Sequence, residues 1–113
     1  MDSLTLDRYR QIIESILLEY TKIPYAYGEI QTEAVFDRVR DRYLLVNTGW
    51  DTGKRVHGCL VHVDLVDGKF WIQRDGLEHG IARELVAAGV PKESIVLAFR
   101  PLELRRHTGY ALA

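Results

Sequence analysis

A single cysteine, Cys59, rules out a disulfide within the chain and fits a reducing compartment. With 15 basic and 16 acidic side chains the net charge is -1, so no overall positive field draws the chain to nucleic acid. Any DNA contact would need a local patch. No apolar run approaches the roughly 20 residues that span a bilayer. The start, Met1-Asp2-Ser3-Leu4, lacks the basic and apolar stretches of a signal peptide, and the expected location is the cytoplasm. Internal repeats, low-complexity stretches and linkers are also missing.

What is there describes one globular domain over residues 1–113. That length suits a single core, and 47% apolar with 27% charged residues argues against disorder. A chain of this size buries roughly two thirds of the surface its unfolded form exposes, enough to fold without disulfides or metal.

Between Ser3 and Tyr20 the apolar residues Tyr9, Ile12, Ile13, Ile16, Leu17 and Tyr20 recur at three- and four-residue steps, opposite Arg8, Arg10, Gln11, Glu14 and Glu19. This pattern predicts an amphipathic helix, started by Asp2 or Ser3 and ended at Ile23-Pro24. After a Tyr25-Ala26-Tyr27-Gly28 connection, Glu29–Asp37 and Arg42–Trp50 read as strands around a polar Arg38–Asp41 turn. Asp51-Thr52-Gly53-Lys54 turns the chain into a long strand, Arg55–Val66, and Asp67-Gly68 turns it into Lys69–Arg74. Short turns favour antiparallel pairing of sequence neighbours. Alternation places Cys59, Val61, Val63 and Leu65 on the core face of the third strand, with Gly58, Leu60, His62 and Asp64 opposite. Glu78–Ala88 predicts a second helix, stopped by Gly89 and Pro91, and Ser94–Phe99 a short last strand. The expected fold is α+β, an antiparallel β-meander of four to five strands with both helices on one face, a two-layer sandwich.

Residues capable of chemistry are scattered. His57-x-Cys59 with His62 nearby comes nearest to a zinc site. On a regular strand His57 and Cys59 share a face while His62 points away, and no second Cys or close His pair completes four ligands. No metal or other cofactor is expected. Gly49-Trp50-Asp51-Thr52-Gly53-Lys54 has three rather than four residues between its glycines, then Arg55 and a strand, so it is a hairpin turn and not a phosphate loop. Asp64, Asp67 and Lys69 resemble the acidic set and lysine of a metal-dependent nuclease, but Asp67 and Lys69 flank a glycine turn that recruits such residues anyway. Ser3, Ser15 and Ser94 have no elbow glycines around them. Two basic stretches, Arg38-Val39-Arg40-Asp41-Arg42 and Arg100 to His107, could meet phosphate, although Asp37, Asp41 and Glu103 offset much of their charge. Trp50 and Trp71 suit stacking, an interface or a half-buried sheet.

Longer stretches carry a resemblance over essentially the whole chain. Ile23-Pro24-Tyr25-Ala26-Tyr27-Gly28-Glu29-Ile30, Phe36-Asp37-Arg38 and Asn47-Thr48-Gly49-Trp50-Asp51 come first, followed by Arg55-Val56-His57-Gly58-Cys59-Leu60-Val61-His62-Val63-Asp64. Trp71-Ile72-Gln73-Arg74-Asp75-Gly76, Ala88-Gly89-Val90-Pro91-Lys92 and Arg106-His107-Thr108-Gly109 complete the order. Together they resemble the XisI family, the cyanobacterial fdxN element excision controlling factors. The resemblance implies an accessory role in the programmed excision of a DNA element that interrupts a ferredoxin gene, with cutting and rejoining left to a separate recombinase. It also implies a nuclease-like partner of the XisH type. No catalytic residues accompany it.

The leading expectation is a non-catalytic control factor that binds such partners through Trp50, Trp71, Arg74, Arg105, Arg106 and His107. Core packing of the tryptophans and plain solvation of the arginines are the competing readings. A direct DNA-binding module is the second hypothesis, and a hydrolytic enzyme using His62 and Asp64 the third. A second sheet face keeping Leu60 and Trp71 would pair across a two-fold axis, so a homo-oligomer, with a dimer favoured, is expected.

Overall fold

The three- and four-residue apolar steps of the first segment form helix α1 (Ser3–Thr21), which buries Tyr9, Ile13 and Leu17. The computed structural model describes residues 3–23 and 29–113. Asp2 as a helix cap, Pro24 as its terminator and the 25–28 connection lie outside the described residues. Four strands follow, β1 (Glu29–Asp37), β2 (Arg42–Asp51), β3 (Lys54–Val66) and β4 (Lys69–Asp75), each antiparallel to the one before. Two hairpin turns use positive φ at both central residues, Thr52 (50°) with Gly53 (80°) and Asp67 (48°) with Gly68 (77°). That geometry matches the twist of the flanking strands. Asp67 is thus a turn residue.

The β1–β2 turn is tied to α1 instead of standing free. Asp37 Oδ1 accepts the Val39 and Arg40 amides at 2.9 and 3.0 Å and rounds the corner. Arg10 then donates twice to the Asp41 carboxylate, at 2.8 and 3.1 Å, and the Arg38 guanidinium donates to Glu14 at 2.7 Å. These contacts fix the helix across the sheet.

Helix α2 (Ile81–Ala87) begins three residues later than the sequence pattern predicts. The reason is Asp75, whose carboxylate accepts the Leu77 amide at 3.1 Å and the Ile81 amide at 2.8 Å, holding residues 76–80 as a loop. At the far end Gly89 takes φ 103°, and the Val90 amide returns to the Leu85 carbonyl at 3.0 Å. Such a left-handed residue satisfies the last carbonyls of a helix. A 3-10 turn (Lys92–Ser94) leads into β5, which is only Ile95–Val96 and not the Ser94–Phe99 expected. β5 is also parallel to β4, pairing Phe70 with Ile95 and Trp71 with Val96, so the five-stranded sheet is mixed. A parallel pair needs a long crossover connection, which the segment through α2 supplies. Beyond it the chain bends at once, because Ala98 and Arg100 donate back to Val96 and Leu97. A short helix, α3 (Leu102–Arg105), occupies the tail.

Both longer helices pack on the same face. Tyr9, Ile13 and Leu17 of α1 and Ile81, Ala82 and Leu85 of α2 meet Tyr43, Leu45, Val61, Val63, Leu65, Phe70 and Ile72 of the sheet. Each of the Val, Leu, Ile and Phe side chains, fully buried, contributes about 1.5–3 kcal/mol relative to exposure. The two-layer α+β reading holds.

Candidate protein-interaction surface

The opposite sheet face is left open by α1 and α2, and one inserted residue in β3 decides what it presents. In the β2–β3 ladder Leu45 pairs with Val61 while Val46 pairs with Cys59, leaving Leu60 as a β-bulge. Strict alternation therefore fails in the middle of β3. Leu60 turns to the core side and packs against the core cluster, where it touches Gly76. Cys59, expected inside, is half-buried on the open face beside Val46. The bulge also overturns the premise that His62 points away from His57 and Cys59: all three now share the open face. Among the described residues no group of three His, Cys, Asp or Glu side chains stands close enough to hold a metal.

His62, Asp64, Arg42 and Gln73 meet on this face toward the end of the sheet that carries Trp71. Asp64 is only 8% exposed, and its carboxylate lies 2.7 Å from His62 Nε2, 3.3 Å from Arg42 Nε and 3.3 Å from Gln73 Nε2. A buried carboxylate so partnered is structurally satisfied. Cys59 is no obvious nucleophile. Burial pushes its thiol pKa up, and Sγ contacts the Val61 carbonyl oxygen at 3.1 Å. Reactive thiols need the opposite shift. The arginines of the first basic stretch are committed too, Arg38 to Glu14, Arg40 to Asp37 and Arg42 to Asp64.

The six residues singled out from the sequence fall in three places. Trp50 lies on the open face near the tip of the β2–β3 hairpin, 51% exposed, with the Arg55 guanidinium 5.3 Å from its ring centroid. Trp71 lies on β4, half-buried, with the Arg105 guanidinium 5.9 Å from its ring. Their partners on β3, Arg55 and Asp64, are nine residues apart, so about 30 Å of strand separates the tryptophans. Trp71, Arg105, Arg106 and His107 belong to the α3 end. Arg74 sits near the middle of the face, donating to the Cys59 carbonyl at 2.7 Å.

Within the α3 group the arginines differ in role. Arg105 donates to the carbonyls of Arg100 (3.0 Å), Leu112 (3.2 Å) and Ala98 (3.4 Å), gathering the tail around its fork. Arg106 donates to Glu103 O at 3.2 Å and is exposed, as is His107. Beside them a groove of about 480 Å³ is lined by Leu102, Glu103, Arg106 and Leu112. Sequence reasoning missed Leu102 and Leu112, which are 61% and 49% exposed. Apolar residues in a short tail were the available signal. Arg105→Ala is expected to loosen the tail, with a stability loss of about 1–2 kcal/mol and faster proteolytic nicking after residue 98. Arg105→Lys should not restore resistance, since an ammonium lacks the planar fork. Arg106→Ala should cleave like the wild type, as followed by limited proteolysis and mass spectrometry.

The fold is a two-layer α+β domain with one sheet face left open and an arginine–aromatic group at the α3 end. The family is more specific. Residues 1–112 match the XisI protein family, and the chain belongs to it. Two crystal structures from Anabaena variabilis ATCC 29413 are similar along nearly their whole length. One is of a XisI-like protein, with a TM-score of 0.86, 31% identity, and coverage of 96% of this chain and 99% of that one. The other is of the fdxN element excision controlling factor XisI, with a TM-score of 0.81 and the same identity and coverage. No curated protein matches the chain. Among the described residues no helix is long and apolar enough to cross a membrane.

Proposed function

We propose that this chain is a non-catalytic control factor for the programmed excision of a DNA element, acting in the cytoplasm by binding protein partners. The observation that carries the reading is the full-length similarity, at 31% identity, to a protein named as an fdxN element excision controlling factor. The partners are a nuclease-like XisH-type protein, a site-specific recombinase, or both. Their docking site is the α3 end, where Trp71, Arg106, His107, Leu102 and Leu112 combine an aromatic ring, a guanidinium, an imidazole and exposed aliphatic groups. Aromatics and arginine are the residue types enriched at interfaces.

Co-expression with a neighbouring XisH-type protein should yield a complex that survives purification at micromolar concentration. Leu102→Asp with Arg106→Glu should weaken it by about tenfold or more while leaving the fold intact by circular dichroism. Recovery of the two proteins apart would count against the reading. Direct DNA binding is the second reading, favoured by the exposed Arg100, Arg106 and His107 within one short stretch. It predicts a mobility shift in low salt that Arg106→Glu abolishes.

A further inference from the structure

We infer that the open face of β1–β4 is a self-complementary interface that joins two copies of this chain. Among the described residues α1 and α2 pack on the other face, and this one carries aliphatic and aromatic side chains: Val35 (47% exposed), Leu44, Val46, Trp50 (51%) and Val66 (39%). Acids line one side of that stripe, Glu29 and Glu33 on β1. Arginines line the other, Arg55 on β3 and Arg74 on β4. A face polarised across its strands has one favourable way to meet itself.

A two-fold axis parallel to the strands, passing between β2 and β3, lays β1 of one copy over β4 of the other and β2 over β3. Rows are conserved by this operation. Glu33, Val46 and Cys59 share a row, and the Arg74 guanidinium reaches that same row by its hydrogen bond to the Cys59 carbonyl. Glu33 of each copy therefore meets Arg74 of the other, Val46 covers Cys59, and Arg42 faces Asp64. An axis across the strands would stack β1 on β1 and oppose Glu29 and Glu33 with their own kind, a repulsive arrangement. Aligned sheets pack within about 30° of each other, which the twist of each sheet supplies. Four strands at about 4.8 Å and about ten residues at about 3.3 Å give a footprint of roughly 600 Å², near the roughly 800 Å² per partner of a stable interface. Isologous contacts of this kind close as a dimer. Of the two residues expected to mark this face, Leu60 turns to the core side, while Trp71 lies on the open face opposite Asp64, partly roofed by Arg105.

Sedimentation of the full chain should give about 26 kDa, twice the 13.0 kDa of one copy. Labelling of Cys59 by a maleimide should slow as concentration rises. Val46→Glu and Glu33→Arg should each weaken dimerisation by about tenfold or more, and Glu33→Arg with Arg74→Glu should recover to within about threefold of wild type. Circular dichroism and melting on each variant separate misfolding from dissociation. A monomer at up to about 100 µM, or a dimer indifferent to these substitutions, overturns the inference. Cys59 protected only when the XisH-type protein is added would assign the face to that partner, overturning self-association while leaving the control-factor reading standing. A dimer without rescue by the charge swap overturns the proposed axis.

Discussion

Gly49→Ala is expected to destabilise the protein by about 3 kcal/mol or more, seen as a fall in melting temperature of about 10 °C or more. Gly49 lies in β2 with φ 150°, opposite Ile30 at the start of β1. A Cβ there would run into the Glu29 carbonyl oxygen and stand 2.8 Å from Ile30 Cα and 2.9 Å from the Glu29 carbonyl carbon. All three atoms are backbone, so no rotamer change relieves the clash. The ladder between Glu29–Ile30 and Gly49–Trp50 must open, and Trp50 must shift with it. Gly53→Ala makes the instructive comparison. Nothing stands within 4 Å of a Cβ at Gly53, so its cost is conformational only, about 1 kcal/mol for a residue at φ 80°. Thermal melts of the two variants within about 1 kcal/mol of each other would refute the close approach of β1.

Asp41 yields the second large effect. Its carboxylate accepts two hydrogen bonds from Arg10 and one from Tyr43 Oη at 2.9 Å, while its backbone takes φ 56° and its carbonyl accepts the Leu65 amide. Asp41→Asn keeps a residue that tolerates positive φ and should cost about 1–2 kcal/mol, from the charge-assisted bonds alone. Asp41→Ala adds backbone strain and an unpartnered Tyr43 hydroxyl, raising the loss to about 3 kcal/mol. The pH dependence has a definite sign. The Arg10 hydrogen bonds hold the Asp41 carboxyl below its ordinary value, against the opposing effect of burial. Below about pH 4 the unfolded chain binds a proton that the native state refuses, so stability falls as acid is added. The contribution is fully present above the unfolded value and disappears as pH drops through the lowered native one. Urea titrations from pH 7 to pH 2.5 should show the wild-type advantage over Asp41→Asn shrinking below pH 4. An advantage constant down to pH 2.5 would dismiss the ion pair as its source.

Period-two and helical patterns were enough to place α1, four strands and their turns, because those signals repeat over many residues and each hairpin is closed by local chemistry. The direction and brevity of β5 depend on where α2 returns the chain, and the late start of α2 depends on one carboxylate at Asp75; neither has a periodic signature. Arg10–Asp41 joins residues 31 apart, so its partners are invisible until the hairpin lies across the helix. The candidate surface was legible in residue type but not in grouping. Trp50 and Trp71 looked like one site because sequence gives no distance, and the sheet holds them at its opposite ends. Leu102 and Leu112 escaped notice because tail residues have no pattern to break. The family resemblance, by contrast, was readable from ordered stretches before any coordinates.

The bulge at Leu60 makes β3 two half-strands in opposite phase. From Val61 onward, odd-numbered residues face the helices; before Leu60, even-numbered ones do. Thr48 to His57, the outer part of the hairpin, contains no buried residue at all. Hydropathy in the distal half is thereby uncoupled from the core, and a substitution at His57 is free to follow the demands of recognition without a core-packing cost. One extra residue divides the strand between a half constrained by folding and a half open to selection by whatever it touches.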